Sequence, residues 1–343
     1  MGDPKSLSRL QWREAMAEMG EKPFRGDILF QWLHQRHAIS YDEMTDLPKG
    51  LRASLAENMP LAMPVVQACQ RSSDGTVKYL VRLGDDRRVE CVLMKYKFGY
   101  SLCISSQAGC RMGCRFCAST LDGLVRSLTA SEMLAQIYEI QRITGERISN
   151  IVMMGSGEPL DNYEQAVRFI RLVSDEKGLH ISQRNITLST CGLVPKIRQL
   201  AEEKLAVTLA ISLHASTDEK RRDLMPVAKK YSIQEILDAC REYFEKTGRR
   251  ISFEYALAAG QNDFSEDAER LAGLLKGFPC HVNLIPVNPV RERNFDRSAH
   301  KVVQAFQNKL ENCGINGTIR REMGSDINGA CGQLRKSYLD KNS

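Results

Sequence analysis

The chain has 343 residues and a net charge of +6, and its composition, 43% hydrophobic and 26% charged, is that of a globular protein with a large buried core. It has no apolar run as long as a membrane span and no signal-peptide core, and its eleven cysteines favour a reducing compartment, so we expect a cytoplasmic protein with no membrane partner. The modest positive charge permits a nucleic-acid partner but does not demonstrate one.

The first segment, residues 1–60, is predicted to form a small helical domain. Apolar residues recur at helical spacing along it, Trp12 and Trp32 among them. Its basic residues are balanced by acidic ones, so the segment is interpreted either as a packing domain or as a domain that docks a structured RNA. Pro60 and Pro64 mark its end.

A small β extension is predicted for residues 61–97. Two strand-like runs, residues 77–83 and 88–94, are separated by a Gly-Asp-Asp turn and are expected to form a hairpin or a small sheet. Glu90 lies inside the second run, where a carboxylate is unusual. It is interpreted either as part of an exposed strand face or as a general base.

From about residue 98 to residue 343, strand-like runs alternate with amphipathic helices. One helix is expected near residues 131–144, after a capping box of Thr129 and Glu132, and another near residues 232–246. Such alternation implies parallel strands, and six units with a trailing strand predict an α/β fold, an incomplete (β/α)6 barrel. The predicted strands are residues 101–105, 148–154, 185–190, 206–213, 251–257, 281–286 and 315–320.

Three cysteines, Cys110, Cys114 and Cys117, stand in a C-x3-C-x2-C spacing after the first of these strands. Structural zinc usually needs a fourth ligand from a second pair, and no such Cys or His pair occurs elsewhere in the chain. Short cysteine runs also bind iron–sulfur clusters. We therefore expect a 4Fe–4S cluster whose open iron could chelate S-adenosylmethionine, with structural zinc as the alternative.

Polar residues follow the other strands, at the ends where parallel α/β folds bind ligands. The glycines around Gly157 permit close backbone approach, and Glu158 could accept a hydrogen bond from a ligand ammonium group. Each residue alone would more often serve a turn or packing, but their convergence predicts a polar site of nucleoside size. The candidate residues are Gly157, Glu158, Ser189, Ser212, Leu213, His214 and Asn288.

Two further cysteines are predicted to lie near the same rim. Cys103 ends the first barrel strand, and Cys331 lies in a glycine-bearing loop after the last one. Both are interpreted either as ordinary buried thiols or as reactive groups. The small neighbours of Cys331, Ala330 and Gly332, suit a thiol that must move or be approached.

Six motifs occur together: CISSQAGCRMGCRFC, VMMGSGEPL, NITLST, AISLHA, NLIPVNP and ACGQL. In content and order they resemble those of the radical-SAM adenine C2-methyltransferases of 23S rRNA and tRNA, the RlmN family. The resemblance covers nearly the whole chain, and the cysteine run together with ACGQL is highly specific.

The resemblance implies a role for each matched residue. Cys110, Cys114 and Cys117 would bind the 4Fe–4S cluster. Cys331 would be the cysteine that becomes S-methylated, Cys103 its thiol partner, and Glu90 the proton acceptor. The S-adenosylmethionine contacts would be Gly157, Glu158, Ser189, Ser212, Leu213, His214 and Asn288.

The implied reaction methylates C2 of an adenosine in 23S rRNA, at the peptidyl transferase centre, and in tRNA, in the anticodon loop. Two molecules of S-adenosylmethionine are used per turnover, one to methylate Cys331 and one to activate that methyl group by radical chemistry. Glu90 removes the C2 proton, and Cys103 then forms a disulfide with Cys331 and releases the RNA. An electron donor such as flavodoxin or ferredoxin is implied, and a monomer is expected.

Two alternatives remain open. A sister group that methylates adenine C8 shares nearly every motif, although the segments around Glu254 and Asn283 favour C2. A zinc-stabilised RNA-binding protein is the alternative outside the enzymes. The chain departs from the family pattern at Ser156, at Cys191 and at Asn328-Gly329, and the last pair puts the flexibility of the Cys331 loop in question.

Overall fold

The computed structural model describes residues 3–288, 292, 294–321, 323–324 and 326–327. Its first α-helices are α1 (Arg9–Glu18), α2 (Phe24–His34) and α3 (Lys49–Asn58), with short 3-10 turns at Pro4–Ser6 and Tyr41–Glu43. The predicted helical character of the N-terminal segment is thereby confirmed.

Helices α1 and α2 cross closely because a glycine lies at their contact. A Cβ atom on Gly26 would lie 2.6 Å from the backbone carbon of Trp12, which is shorter than real contacts allow. Trp12 and Phe30 are fully buried beside this crossing. The small residue therefore lets both aromatic side chains enter one core.

The β extension has three strands, β1 (Val65–Arg71), β2 (Val77–Arg82) and β3 (Arg88–Tyr96), each antiparallel to the next. Strand β3 also pairs antiparallel with β4 (Gly99–Cys103). The extension is therefore continuous with the main sheet, whereas the sequence predicted a hairpin or a small sheet. Strand β1 was missed because it is a largely exposed edge strand that lacks a clear apolar alternation.

The rest of the described chain alternates strands and helices. The hairpin of β5 (Gln107–Gly109) and β6 (Leu124–Ser127) forms a separate two-stranded sheet after β4. The following elements are α4 (Ala130–Thr144), β7 (Ile148–Met153), α5 (Tyr163–Val173), β8 (Ile186–Thr190), α6 (Val194–Glu202), β9 (Thr208–Ser212), α7 (Asp218–Leu224), α8 (Ile233–Thr247), β10 (Ile251–Leu257), α9 (Ser265–Leu275), β11 (Cys280–Pro286), α10 (His300–Asn312) and β12 (Gly317–Ile319).

Across the described residues, ten strands form one sheet in the order β1-β2-β3-β4-β7-β8-β9-β10-β11-β12. From β4 to β12 each strand runs parallel to its neighbour. These are the seven barrel strands that the alternation predicted, and the expected fold class, an incomplete α/β barrel, is confirmed. Their carboxyl ends meet at one rim, where ligands gather in such folds.

The predicted starts of two helices are also confirmed. Thr129 and Glu132 form the capping box of α4, and Ser232 and Glu235 form that of α8. Among the described residues, no helix combines the length and apolar character that crossing a bilayer requires.

The N-terminal helices pack directly on the barrel, so that one apolar core runs through both. At this contact, the backbone N–H of Ser131 donates to Ser6 Oγ at 3.0 Å, and Arg168 donates to the Ser6 carbonyl at 3.0 Å. His34 Nδ1 lies 2.7 Å from the hydroxyl of Tyr138 on α4. The orientation of these helices relative to the barrel rim is therefore set by buried contacts.

Candidate active site

The loop that carries the three clustered cysteines is closed at its base by the β5–β6 hairpin. Gly109 has a φ of 82°, and a Cβ there would collide with the carbonyl oxygen of Gly123. The N–H of Cys110 donates to that same carbonyl at 2.9 Å. Within the loop, Thr120 Oγ1 donates to the carbonyls of Cys114 and Cys117 at 3.1 and 2.9 Å. The loop is thus organised by its own backbone.

All three cysteines line one cavity of about 290 Å³ at the carboxyl rim of the barrel. Burial raises the pKa of the Cys110 thiol to about 12 and also raises the pKa of Cys114. Neutral thiols are therefore favoured in the protein alone, and thiolates require compensating positive charge from a bound metal group.

The donor set suits an iron–sulfur cluster. Three sulfur ligands of one type face the cavity together with Met112 and Phe116. In the part of the chain described here, no three Cys, His, Asp or Glu side chains converge closely enough to share a single metal ion. A cluster does not need such convergence, because each thiolate binds a different iron.

The glycine-rich turn after β7 packs against the segment that follows β4. A Cβ on Gly155 would lie 2.5 Å from the carbonyl oxygen of Ile104, and one on Gly157, with a φ of 108°, would lie 2.6 Å from Gln107 Cβ. We expected these glycines to permit the approach of a ligand. The structure shows that they are needed for contact between two loops of the protein itself.

Glu158 is buried and its carboxylate is already organised by backbone donors. The N–H of Cys191 donates to Oε2 at 2.7 Å, and that of Leu160 donates to Oε1 at 3.0 Å. Burial raises the pKa of Glu158, and these hydrogen bonds oppose that shift. The side chain lines the cavity beside Pro159 and retains acceptor capacity toward a ligand.

His214 connects β10 to the cysteine loop. Its Nδ1 accepts a hydrogen bond from the N–H of Ala256 at 2.9 Å, and its ring meets Phe116 edge to face at 4.9 Å. Burial lowers the pKa of His214 to about 3. The imidazole is therefore neutral at physiological pH, with its proton on Nε2.

The structure brings most of the predicted ligand-binding residues together. The ones that line the cavity are Gly157, Glu158, Ser189, Ser212, His214 and Asn288. Leu213 does not line it. Its side chain is fully buried, and its carbonyl accepts from Arg221 Nε at 3.1 Å.

Two residues that sequence reasoning missed lie at or behind the cavity. Arg221 is fully buried and also donates to the carbonyl of Cys191 at 2.6 Å, so that it ties together the loops after β8 and β9. Glu254 lines the floor of the cavity from the middle of β10. Arg221 sits in a short helix so rich in charged residues that the sequence indicates an exposed surface.

Glu90 and Cys103 lie on neighbouring strands to one side of this cavity. Cys103 is paired with Val92, two residues from Glu90, so both side chains lie on the same face of the sheet. Glu90 is buried, and its Oε2 lies 2.8 Å from Nζ of the buried Lys78. The interpretation of Glu90 as part of an exposed face is therefore wrong.

Cys331 lies outside the described residues, as do Asn328 and Gly329. The chain that leads toward it is held by the turn between β1 and β2. The N–H of Gly324 donates to Asp74 Oδ2 at 2.9 Å, and that of Ser73 donates to Asp326 Oδ2 at 2.9 Å. The described cysteines form no disulfide with one another.

Comparison with known proteins finds similarity over the whole chain. Residues 104–275 match the model of the Radical SAM superfamily, and residues 5–61 match that of the Ribosomal RNA large subunit methyltransferase N-terminal domain. A protein of Lachnospira eligens named "Probable dual-specificity RNA methyltransferase RlmN" is 58% identical over 341 residues, which is 99% of this chain and 97% of the relative.

Two further similarities support the same grouping. A protein of the same name from Clostridium perfringens is 56% identical over 328 residues, 95% of this chain and 94% of the relative. The crystal structure of a radical SAM methyltransferase from Sphaerobacter thermophilus superposes with a TM-score of 0.92 at 43% identity, and the match covers 97% of this chain and 99% of that one.

Proposed function

This chain belongs to the RlmN family of the radical SAM superfamily, and on that premise we propose that it methylates C2 of an adenosine in 23S rRNA and in tRNA. The observation that carries the proposal is the convergence of three cysteines and the strand-end residues on one cavity. Such a site can hold a cluster and a nucleoside side by side.

The family implies a 4Fe–4S cluster and S-adenosylmethionine, and the residues present fit both groups. Cys110, Cys114 and Cys117 would hold the cluster. Bound together, the two groups supply a carbon-centred radical that can abstract hydrogen from a methyl group. The residues proposed to contact S-adenosylmethionine are Gly157, Glu158, Ser189, Ser212, His214, Asn288 and the backbone of Leu213.

The protein's own groups would carry the methyl group and the proton. Adenine C2 is electron-poor, so it does not attack a sulfonium methyl directly, and the Cys331 thiolate would accept the methyl from a first S-adenosylmethionine. Glu90 would then remove the C2 proton. The Lys78 ammonium supports this role, because it lies 2.8 Å from Glu90 Oε2 and fixes the position of this buried carboxyl group.

Release of the product would need a second thiol. Cys103 would attack the sulfur of Cys331, so that a sulfur–sulfur bond forms as the carbon–sulfur bond to the RNA breaks, and the released carbon would take up a proton to complete the methyl group. An external thiol would reduce this disulfide before the next turnover. A stacked adenine would have to be flipped out to reach the barrel rim.

The partners and organisation follow the same premise. Residues 1–60 would dock the RNA, residues 61–97 would extend the sheet, and residues 98–343 would form the barrel and the Cys331 loop. Flavodoxin or ferredoxin would supply electrons, and the protein would act as a monomer.

Anaerobic turnover of the purified protein on 23S rRNA and on tRNA, followed by nucleoside mass spectrometry, tests the proposal. We expect 2-methyladenosine, with one S-adenosylhomocysteine and one 5′-deoxyadenosine formed per methyl group. A methyl group at C8 would reassign the chain to the sister activity. Zinc in place of iron and sulfide, with no methylated product, would overturn the proposal altogether.

A further inference from the structure

A cluster of polar side chains occupies the lumen of the barrel below the candidate site. Ser252 and Glu254 on β10 are two residues apart and therefore face the same side of the sheet, as do His281 and Asn283 on β11. These four residues line a second cavity of about 330 Å³. Glu254 also lines the cavity that holds the three cysteines, so it lies at the boundary between the two.

Hydrogen bonds hold one oxygen of the Glu254 carboxylate in place. Ser252 Oγ and Asn283 Nδ2 both donate to Oε1, each at 2.9 Å. The side-chain oxygen of Asn283 in turn accepts from Thr318 Oγ1 at 3.0 Å, and Thr318 contacts His281 Nε2 at 2.9 Å. The carboxylate is thus fixed in orientation by neighbours on three strands.

The second oxygen, Oε2, accepts no hydrogen bond from the described residues. Glu254 is only 3% exposed, so bulk water does not solvate it as it would a surface carboxylate. Arg320 lines both cavities and places positive charge in the same lumen. A buried carboxylate with an open oxygen remains costly unless a bound molecule supplies donors.

The position of Glu254 indicates which molecule that is. Glu254 pairs in parallel register with Ser212 on β9. On the other side of β10 lies β11, and Asn288 follows the end of that strand. Ser212 and Asn288 are proposed contacts of S-adenosylmethionine, and both line the same cavity as Glu254, so a molecule bound across that cavity comes within reach of the Glu254 carboxylate. We propose that Glu254 is a further ligand-binding residue whose Oε2 accepts hydrogen bonds from the free ribose 2′- and 3′-hydroxyls of S-adenosylmethionine.

The chemistry of the donors favours the ribose. A carboxylate is an acceptor with several lone pairs, and a pair of adjacent hydroxyls offers it two donors at once. An adenosine inside an RNA chain has its 3′-oxygen esterified and offers only the 2′-hydroxyl. This assignment rests on the proposed use of S-adenosylmethionine but not on the identity of the RNA or of the methylated carbon.

The test is a thermodynamic cycle between the protein and the ligand. Cluster-reconstituted wild-type protein and Glu254→Gln are titrated anaerobically with S-adenosylhomocysteine, which has no methyl group to transfer, and with its 2′-deoxy, 3′-deoxy and inosine analogues. Wild-type protein should lose about tenfold in affinity for each deoxy analogue, as expected for a hydrogen bond to a charged group. Glu254→Gln should bind the parent ligand about tenfold more weakly, with little further loss for the deoxy analogues.

Glu139→Gln is the matched control, because Glu139 is a buried glutamate on α4 that pairs with Arg142 away from both lumen cavities. It should show wild-type affinities for all four ligands. If Glu254→Gln does not fold, Glu254→Asp withdraws the carboxylate by one methylene and should weaken binding of the parent ligand, again without further loss for the deoxy analogues.

Two outcomes would overturn the proposal. The first is equal loss of affinity for the deoxy analogues in wild-type protein and in Glu254→Gln, and the second is a coupling that appears with the inosine analogue instead. Because the readout is binding, wild-type protein that binds S-adenosylhomocysteine but methylates no RNA would contradict the proposed function and leave this inference testable.

Discussion

Lys78 and Glu90 form an ion pair that is almost completely removed from solvent, with side chains 0% and 4% exposed. Desolvation offsets much of the attraction in such a pair, so the pair itself adds little stability. Removal of one partner is different, since it leaves a charge buried without compensation. The pair therefore makes the fold dependent on both charges, and the proposed reaction uses one of them.

Replacement of Lys78 by methionine should lower the free energy of unfolding by about 3 kcal/mol. The double variant Lys78→Met/Glu90→Gln should recover part of that loss, because it leaves no isolated charge. In the single variant the Glu90 carboxyl group loses the ammonium group that holds it in place, so RNA methylation should fall while S-methylation of Cys331 continues. Urea unfolding, nucleoside mass spectrometry and peptide mass spectrometry measure the three quantities.

Lys246→Met is the control for this prediction, because Lys246 pairs with Glu202 on the surface, where both side chains are exposed. Its effect on stability should stay within about 0.5 kcal/mol. A Lys78→Met protein with wild-type stability and full RNA methylation would show that the pair is dispensable for both.

At the scale of elements, the β5–β6 hairpin is a separate two-stranded sheet that closes the base of the cysteine loop. Gly109→Ala should disrupt it for two reasons: the φ of 82° costs about 1 kcal/mol for a residue with a Cβ, and that Cβ would displace Gly123. We expect a folded protein that binds less than about half of the wild-type iron and sulfide, because the cysteines no longer share one geometry.

Gly145→Ala is the control that separates the cost of the positive φ from the effect of the clash with Gly123. Gly145 ends α4 with a φ of 72°, and a Cβ there would have no atom within 4 Å. It should lose only the backbone cost of about 1 kcal/mol and keep its cluster. Iron and sulfide analysis of both variants after anaerobic reconstitution, with circular dichroism as the folding check, measures this. Full cluster content in Gly109→Ala would show that the hairpin does not organise the loop.

Sequence periodicity was sufficient to predict the barrel strands, because each parallel strand is a short apolar run followed by an amphipathic helix. It was insufficient for β1, an exposed edge strand, and for β5 and β6, which are only three and four residues long. Runs of that length carry too few residues for a period to show.

The candidate site was predictable to the extent that topology places strand ends at one rim. The buried charged side chains were not predictable, because a charged residue in a sequence indicates an exposed position until its partners are known. Arg221 is fully buried and donates to the carbonyls of Cys191 and Leu213, which lie in two different loops. Lys78 is fully buried and pairs with Glu90 on the neighbouring strand. Only tertiary structure supplies such pairings.

At the scale of the whole molecule, the contact between the N-terminal helices and the barrel contains two histidines, the buried His34 and the half-buried His37. His34 lies against the Tyr138 hydroxyl, and the ring of His37 stacks on the Tyr138 ring with centroids 4.6 Å apart. Burial lowers the pKa of His34 to about 3 and that of His37 to about 4, and the nearby Lys5 ammonium lowers both further. Both rings are therefore neutral in the folded protein at physiological pH.

This contact should make stability depend on pH in a defined window. Unfolded histidine titrates near pH 6.5, well above the two folded values, so between pH 6.5 and about pH 4 the unfolded chain binds more protons than the folded one. Stability is then complete above pH 6.5 and is lost as the pH falls, by up to about 1.4 kcal/mol per pH unit for each histidine. Unfolding followed by tryptophan fluorescence reports on this region directly, because the chain's two tryptophans, Trp12 and Trp32, lie in α1 and α2.

Replacement of His34 by glutamine should reduce the slope of the unfolding free energy against pH by about 1.4 kcal/mol per unit near pH 5, because one of the two titrating groups is removed. His300→Gln, at an exposed position at the start of α10, should leave the slope of the wild-type protein unchanged. Urea titrations at pH 7.5, 6.0 and 5.0 on the three proteins measure it. A wild-type unfolding free energy that stays constant from pH 7.5 to pH 5.0 would show that folding does not lower the pKa of either imidazole, because the folded and unfolded chains would then bind the same number of protons over that range.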